Sequence, residues 1–129
     1  MADTEPKIIH KALSYEVTGL LFKVHNAIGR FGRERQYADA LQTLFEQENI
    51  EYAREKSLPI PFVGNPSTNK ADFVVGEKIV VELKAKPLIT KEDYAQIHRY
   101  LQAGNYKLGL VVNFRNKYLR PIRVIRSNS

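Results

Sequence analysis

The stretch Ala71-Asp-Phe-Val-Val-Gly-Glu-Lys-Ile-Val-Val-Glu-Leu-Lys-Ala85 constrains this chain more than any other. It reads as two β-strands joined at Gly76-Glu77-Lys78, yet it carries Asp72, Glu82 and Lys84 among apolar neighbours. Side chains alternate along a strand, so Glu82 and Lys84 share a face with Val80, while Ile79, Val81, Leu83 and Ala85 take the other. A three-residue loop pairs Val75 with Ile79 and, counted outward, sets Asp72 opposite Glu82. Opposed residues have Cβ atoms roughly 5 Å apart. Two carboxylates that close repel unless a cation lies between them, and a hard divalent ion with oxygens at roughly 2 Å satisfies both.

The rest of the chain frames this hairpin with helices and further strands. Ser14 reads as an N-cap, followed by Val17, Leu20, Leu21, Val24 and Ile28 at helical spacing until Gly29 and Gly32. A second amphipathic run carries Tyr37, Leu41, Leu44 and Phe45, with Glu34 one turn before Tyr37 on the same inward side. Residues 50 to 63 read as extended, Pro59 and Pro61 marking an edge or strand end, and Asn65-Pro-Ser-Thr-Asn69 as a turn-rich loop. Thr90 and Asp93 form a capping-box pattern ahead of Tyr94, Ile97 and Leu101, a helix that Gly104 ends. Leu108-Gly-Leu-Val-Val-Asn-Phe114 is apolar enough for a central buried strand, and Tyr118 to Ile125 forms the last strand.

With 129 residues, 43% hydrophobic and 26% charged, the chain has the size and composition of one domain, residues 1–7 and 127–129 forming loose tails. The lack of cysteine removes disulfides and thiolate metal sites, leaving oxygen or imidazole ligands and favouring Mg²⁺ or Mn²⁺. No apolar run approaches 18 residues and Met1-Ala-Asp-Thr-Glu-Pro carries no charged-then-apolar signal pattern, so neither membrane insertion nor secretion is expected and a cytoplasmic location is. The net charge of +6 is uneven: residues 103 to 129 hold Lys107, Arg115, Lys117, Arg120, Arg123 and Arg126 and no acid. A solvated basic face is the plain reading, and contact with a nucleic-acid backbone the functional one, carried by Arg115, Lys117, Arg120, Arg123 and Arg126.

The spacing D-x9-E-x-K from Asp72 to Lys84, with Gln96-Ile-His-Arg-Tyr100 after it and Glu34-Arg-Gln-Tyr37 before it, resembles the signature of the PD-(D/E)XK nuclease superfamily, RecB-like branch. Within it, Glu34-x-x-Tyr37 and the run of VVELKA, Gln96, Tyr100 and GLVVNF resemble the GxxExxY protein family, over residues 14 to 126. The sequence departs from that pattern at Phe31, where glycine is expected beside Gly32, and at Ala71, where proline is expected; neither change removes a ligand. The resemblance implies an α/β, restriction-endonuclease-like αβββαβ core, a mixed central sheet flanked by helices. It also implies a Mg²⁺- or Mn²⁺-dependent nuclease, an endonuclease acting on nucleic acid, DNA before RNA.

The metal would lie on Asp72, Glu82, the Leu83 carbonyl and Glu34, while Lys84 orients or deprotonates water and neutralises the scissile phosphate. Gln96 would hydrogen-bond the water or a phosphate, Tyr100 would position it, and Glu55 would line the same cleft. The plain alternatives are an ion pair of Lys84 with Glu82 or Asp72 on a solvated sheet face, capping or pairing of Glu34 with Arg33 or Arg35, and packing at the core edge for Gln96 and Tyr100. The histidines at 10, 25 and 98 stand apart from the acids and carry no expected role. The competing reading of the whole is a non-catalytic protein that retains the fold and binds nucleic acid or a partner. A homodimer or a partner protein is compatible with the small size.

Overall fold

The computed structural model describes residues 8–58 and 69–126. The tails expected at 1–7 and 127–129, the Pro59 and Pro61 segment and the 65–68 part of the loop lie outside the described residues. In chain order the elements are α1 (Lys11–Ile28), α2 (Glu34–Gln47), β1 (Tyr52–Ser57), β2 (Lys70–Val75), β3 (Ile79–Lys84), α3 (Lys91–Gly104), β4 (Leu108–Asn113) and β5 (Ile122–Ile125). The strands form one mixed sheet in the order β1-β2-β3-β4-β5, antiparallel throughout except for the parallel pair β3 and β4 that α3 connects. Among the described residues no helix is long and apolar enough to cross a membrane.

Two apolar layers sandwich the sheet, and they follow from strand parity. Phe73, Val75, Ile79, Val81 and Leu83 face Val17, Leu20 and Leu21 of α1 and Tyr37, Leu41 and Phe45 of α2. Val74, Val80 and Val111 face Ile97, Tyr100 and Leu101 of α3. β3 and β4 are therefore covered on both sides, as an internal parallel pair requires. The hairpin turn supplies the register: Gly76 and Glu77 adopt φ of 59° and 56°, Lys78 N donates to Val75 O at 3.0 Å, and Val75 pairs with Ile79.

Three boundaries differ from the sequence reading. Ser14 does not cap α1, which begins at Lys11 after a left-handed His10; its hydroxyl donates back to Lys11 O at 3.1 Å. α3 keeps the Thr90–Asp93 capping box, but its left-handed cap is Asn105, one residue after Gly104. The last strand is confined to Ile122–Ile125, because Tyr118 to Pro121 form the approach to it.

α3 lies close on the sheet because Gly109 has no side chain. A Cβ there would come within 2.5 Å of Ile97 Cδ1 and 2.9 Å of Ile97 Cγ1, and Ile97 is fully buried. Gly109→Val should lower stability by about 1–3 kcal/mol through overpacking, read as a lower urea midpoint at unchanged slope. An unchanged midpoint would show that α3 is free to shift.

Candidate active site

The β2–β3 ladder stops at Phe73 and Val81. At the next position the side chains take over from the backbone: Asp72 N donates to Glu82 Oε2 at 2.7 Å, and Leu83 N donates to Asp72 Oδ2 at 2.7 Å. Strands that separate leave amides needing acceptors, and here each carboxylate serves one across the hairpin. Asp72 and Glu82 are therefore fixed side by side, without the direct backbone pairing expected between them. Their second oxygens, Asp72 Oδ1 and Glu82 Oε1, accept no hydrogen bond from any described residue. Both reach solvent, because no fully buried side-chain polar atom among the described residues lacks a partner.

Glu82 is 4% exposed, and burial, then the charge of Asp72, pushes its carboxyl up to about 8. Burial also raises Asp72, against the Leu83 N–H and the Lys84 charge, and the charges of Glu34 and Glu55 add to the rise. The same two carboxylates act through space on Tyr100 of α3. Burial first, then Glu82 and Asp72, pushes its hydroxyl up to about 12, so it remains protonated at neutral pH.

A cavity of about 300 Å³ opens beside Asp72 and is lined by Glu34, Arg35, Ala38, Arg54, Glu55, Asp72 and Leu83. Glu34 differs from its expected position: as the first residue of α2 it is exposed and faces this cavity rather than the core. Glu55 stands opposite Asp72 in the β1–β2 register, between the pairs Arg54–Phe73 and Lys56–Ala71, and its φ of 52° interrupts the ladder there. A left-handed glutamate in a strand is a local strain held by its surroundings, and it lies beside Asp72. Arg54 is held by Asp39 at 2.7 Å and Gln42 at 2.8 Å.

The donor chemistry fits a hard cation. Two carboxylates each present a free oxygen, and among the described residues neither forms an ion pair. No three His, Asp or Glu side chains among the described residues form a complete ligand set. Remaining coordination would therefore come from a backbone carbonyl such as that of Leu83, from water and from substrate, the arrangement Mg²⁺ commonly takes.

Lys84 is held from α3 rather than by Glu82. Its Nζ lies 3.7 Å from Asp93 Oδ1 and 3.3 Å from Gln96 Oε1. Gln96, expected on water or phosphate, instead accepts from the lysine. Asp93 was legible in the sequence only as a cap, yet it also binds Lys86 Nζ at 2.5 Å. Burial pushes its carboxyl up, but hydrogen bonds from Lys86 and Thr90 and the Lys84 charge more than offset this, so it lies below the ordinary range and stays ionised.

The expected basic set divides between two ends of the sheet. Arg115 follows β4 at the site end, where its Nη2 donates to Ala85 O at 3.2 Å, and Lys117 is on the same loop. Arg120 is exposed on the approach to β5. Arg123 instead donates to Ser14 Oγ and Ile9 O, both at 2.7 Å, and Arg126 to Asn105 Oδ1 at 2.8 Å. These last two tie β5 to α1 and to the end of α3, away from the carboxylates.

A mixed sheet with Lys84 and the buried Glu82 at the carboxyl end of its parallel pair is a restriction-endonuclease-like fold. The model of the PD-(D/E)XK nuclease superfamily matches residues 11–125, and the chain belongs to that superfamily, whose members generally use divalent metals. Among solved structures, the alkaline exonuclease LHK-Exo from Laribacter hongkongensis shares the fold with a TM-score of 0.51 at 10% identity, over 89% of this chain and 70% of that one. No curated protein sequence matches.

The raised Glu82 carboxyl has a measurable consequence. Between the ordinary 4.5 and about 8, the folded chain holds a proton that the unfolded chain has lost, so stability falls as pH rises through that window. The limit for one proton is ~1.4 kcal/mol per pH unit. In chelator, the thermal midpoint of the wild type should fall more steeply over this range than that of Glu82→Gln, and Mg²⁺ should recover much of the loss at the upper end. Parallel slopes would remove the buried charge as the cause.

Proposed function

We propose that this protein is a Mg²⁺- or Mn²⁺-dependent nuclease that hydrolyses phosphodiester bonds in nucleic acid, DNA in the first place. The observation that carries the reading is the pair of half-buried Asp72 and buried Glu82, both raised in pKa, each anchored by one backbone amide and each with one oxygen unclaimed. Asp72, Glu82 and the Leu83 carbonyl would hold the ion directly, and Glu34, exposed at the cavity, would reach it through water. When bound, the ion supplies positive charge to the scissile phosphate and acidity to the attacking water. Lys84, steadied by Asp93 and Gln96, brings an ammonium to the same end of β3, suited to orienting water and balancing charge that develops on phosphate. Tyr100, buried on α3 and kept protonated, would help to position the water or phosphate.

Glu34-x-x-Tyr37 at the start of α2 and Gln96-x-x-x-Tyr100 on α3 support a place in the RecB-like branch and the GxxExxY group. The superfamily match over residues 11–125 supports catalysis.

Asp72→Asn and Glu82→Gln should each abolish metal-dependent cleavage. Lys84→Ala should lose ~10²–10⁴-fold in turnover while still binding Mn²⁺. Linear and closed circular DNA and RNA of one sequence, each with Mg²⁺ or Mn²⁺, separate endonuclease from exonuclease action and DNA from RNA. Equal cleavage by wild type and Glu82→Gln would assign the activity to a contaminant or to other residues. Mn²⁺ binding with no cleavage of any of these substrates would leave the non-catalytic binding protein.

Asp93→Asn tests the positioning of Lys84. Turnover should drop ~10–100-fold with Mn²⁺ affinity kept, because the lysine loses its anchor but the ion keeps its ligands. Turnover equal to wild type would show that Gln96 alone suffices.

A further inference from the structure

The α1–α2 connection carries Phe31, 76% exposed, on a backbone that is tightly held. Tyr37, stacked on Phe114 with ring centroids 4.0 Å apart, donates its hydroxyl to Gly29 O at 2.6 Å and accepts from Gly32 N at 2.8 Å. Gly32 fits only as glycine, since a Cβ would come within 2.9 Å of Tyr37 Cζ. On the other side the loop is joined to the segment after β4: Arg30 Nε donates to Arg115 O at 2.9 Å and Arg115 Nε to Arg30 O at 3.2 Å. The aromatic ring is thus presented to solvent by a fixed loop, with no burial to explain it.

Both guanidiniums lie against that ring, Arg30 at 4.9 Å and Arg115 at 5.8 Å from its centroid. Neither pairs with a carboxylate among the described residues, and Arg30 spends only its Nε on the protein. The patch adjoins the candidate active site on two sides. Glu34 follows Phe31 by three residues, and Arg115 bonds the carbonyl of Ala85, next in the chain to Lys84. A second pair of the same kind continues on the β4–β5 connection, where Lys117 Nζ is 5.5 Å from the ring of Tyr118, itself 79% exposed.

We infer that Phe31 is a stacking platform for an unpaired nucleobase next to the scissile phosphate, with Arg30 and Arg115 on the flanking phosphates. An exposed ring beside uncompensated cations is the chemistry that holds single-stranded nucleic acid without regard to sequence. A base within a duplex is already stacked on its neighbours and is not available to the ring. The substrate class is therefore nucleic acid with a single-stranded segment or frayed end. This deepens the nuclease reading and rests on it.

The test is fluorescence anisotropy in chelator, so that nothing is cleaved, with a labelled oligothymidylate, an abasic strand of the same length and a blunt duplex. Phe31→Ala should bind oligothymidylate about tenfold more weakly, the loss of one stacked base, and bind the abasic strand and the duplex as wild type does. Phe31→Tyr should keep the wild-type affinity, and all variants should keep the wild-type thermal midpoint. Unchanged binding of oligothymidylate by Phe31→Ala, or an equal loss on the abasic strand, overturns the stacking role. If the wild type cleaves nucleic acid in Mg²⁺ while Phe31→Ala behaves identically on all three ligands, only this inference falls. If the wild type neither binds nor cleaves, the nuclease reading falls with it.

Discussion

The cross-hairpin exchange between Asp72 and Glu82 is the interaction on which the site depends. A carboxylate withdrawn from water costs several kcal/mol. One hydrogen bond from a backbone N–H returns about 1.5–3 kcal/mol to a charged acceptor. Each acid has one such bond, so the protein alone leaves both short, and their mutual repulsion widens the gap. Only a proton or a cation closes it. The raised carboxyls express the first solution and the free oxygens leave room for the second.

The surrounding fold sets that imbalance. β3 is internal, covered by α1 and α2 on one face and α3 on the other, so only 4% of Glu82 reaches solvent. The parallel pairing of β3 with β4 brings the carboxyl ends of both strands to one edge, where Phe114 N donates to Lys84 O at 2.9 Å. Asn113 extends the same edge, accepting from Lys86 N and donating to Lys86 O. The acids, the lysine and the loop bearing Arg115 thus converge through sheet geometry.

The parts of this arrangement set by short-range geometry were legible in the sequence. Strand parity and the three-residue loop predict the register of Val75 with Ile79, and the hairpin keeps it as far as Phe73 and Val81. The Thr90–Asp93 box was equally plain. The misreadings of Ser14, Asp93 and the basic set involve partners distant in the chain. Ser14 offered a cap, but Arg123 reaches across from β5 to its hydroxyl and to Ile9 O, and the helix starts a turn earlier. Asp93 as the anchor of Lys84 and Lys86 needed the placement of α3 over β3, which no local pattern encodes. The basic C-terminal third looked like one surface until antiparallel pairing sent Arg123 and Arg126 to the end of the sheet opposite Arg115.

Holding Lys84 through Asp93 and Gln96 also separates two demands that a direct Lys84–Glu82 ion pair would set against each other. An ammonium bonded to Glu82 would neutralise that carboxylate and occupy the oxygen a cation needs. Placed on the α3 side, the same charge still lowers the energy of both ionised acids through space, opposing their burial without taking a coordination position. Asp93 can accept this task because it stays ionised, buried at the start of α3 among the Thr90 amide, the Thr90 hydroxyl and Lys86. The capping residue of one helix thereby keeps the lysine of another element close to the acids and off their free oxygens.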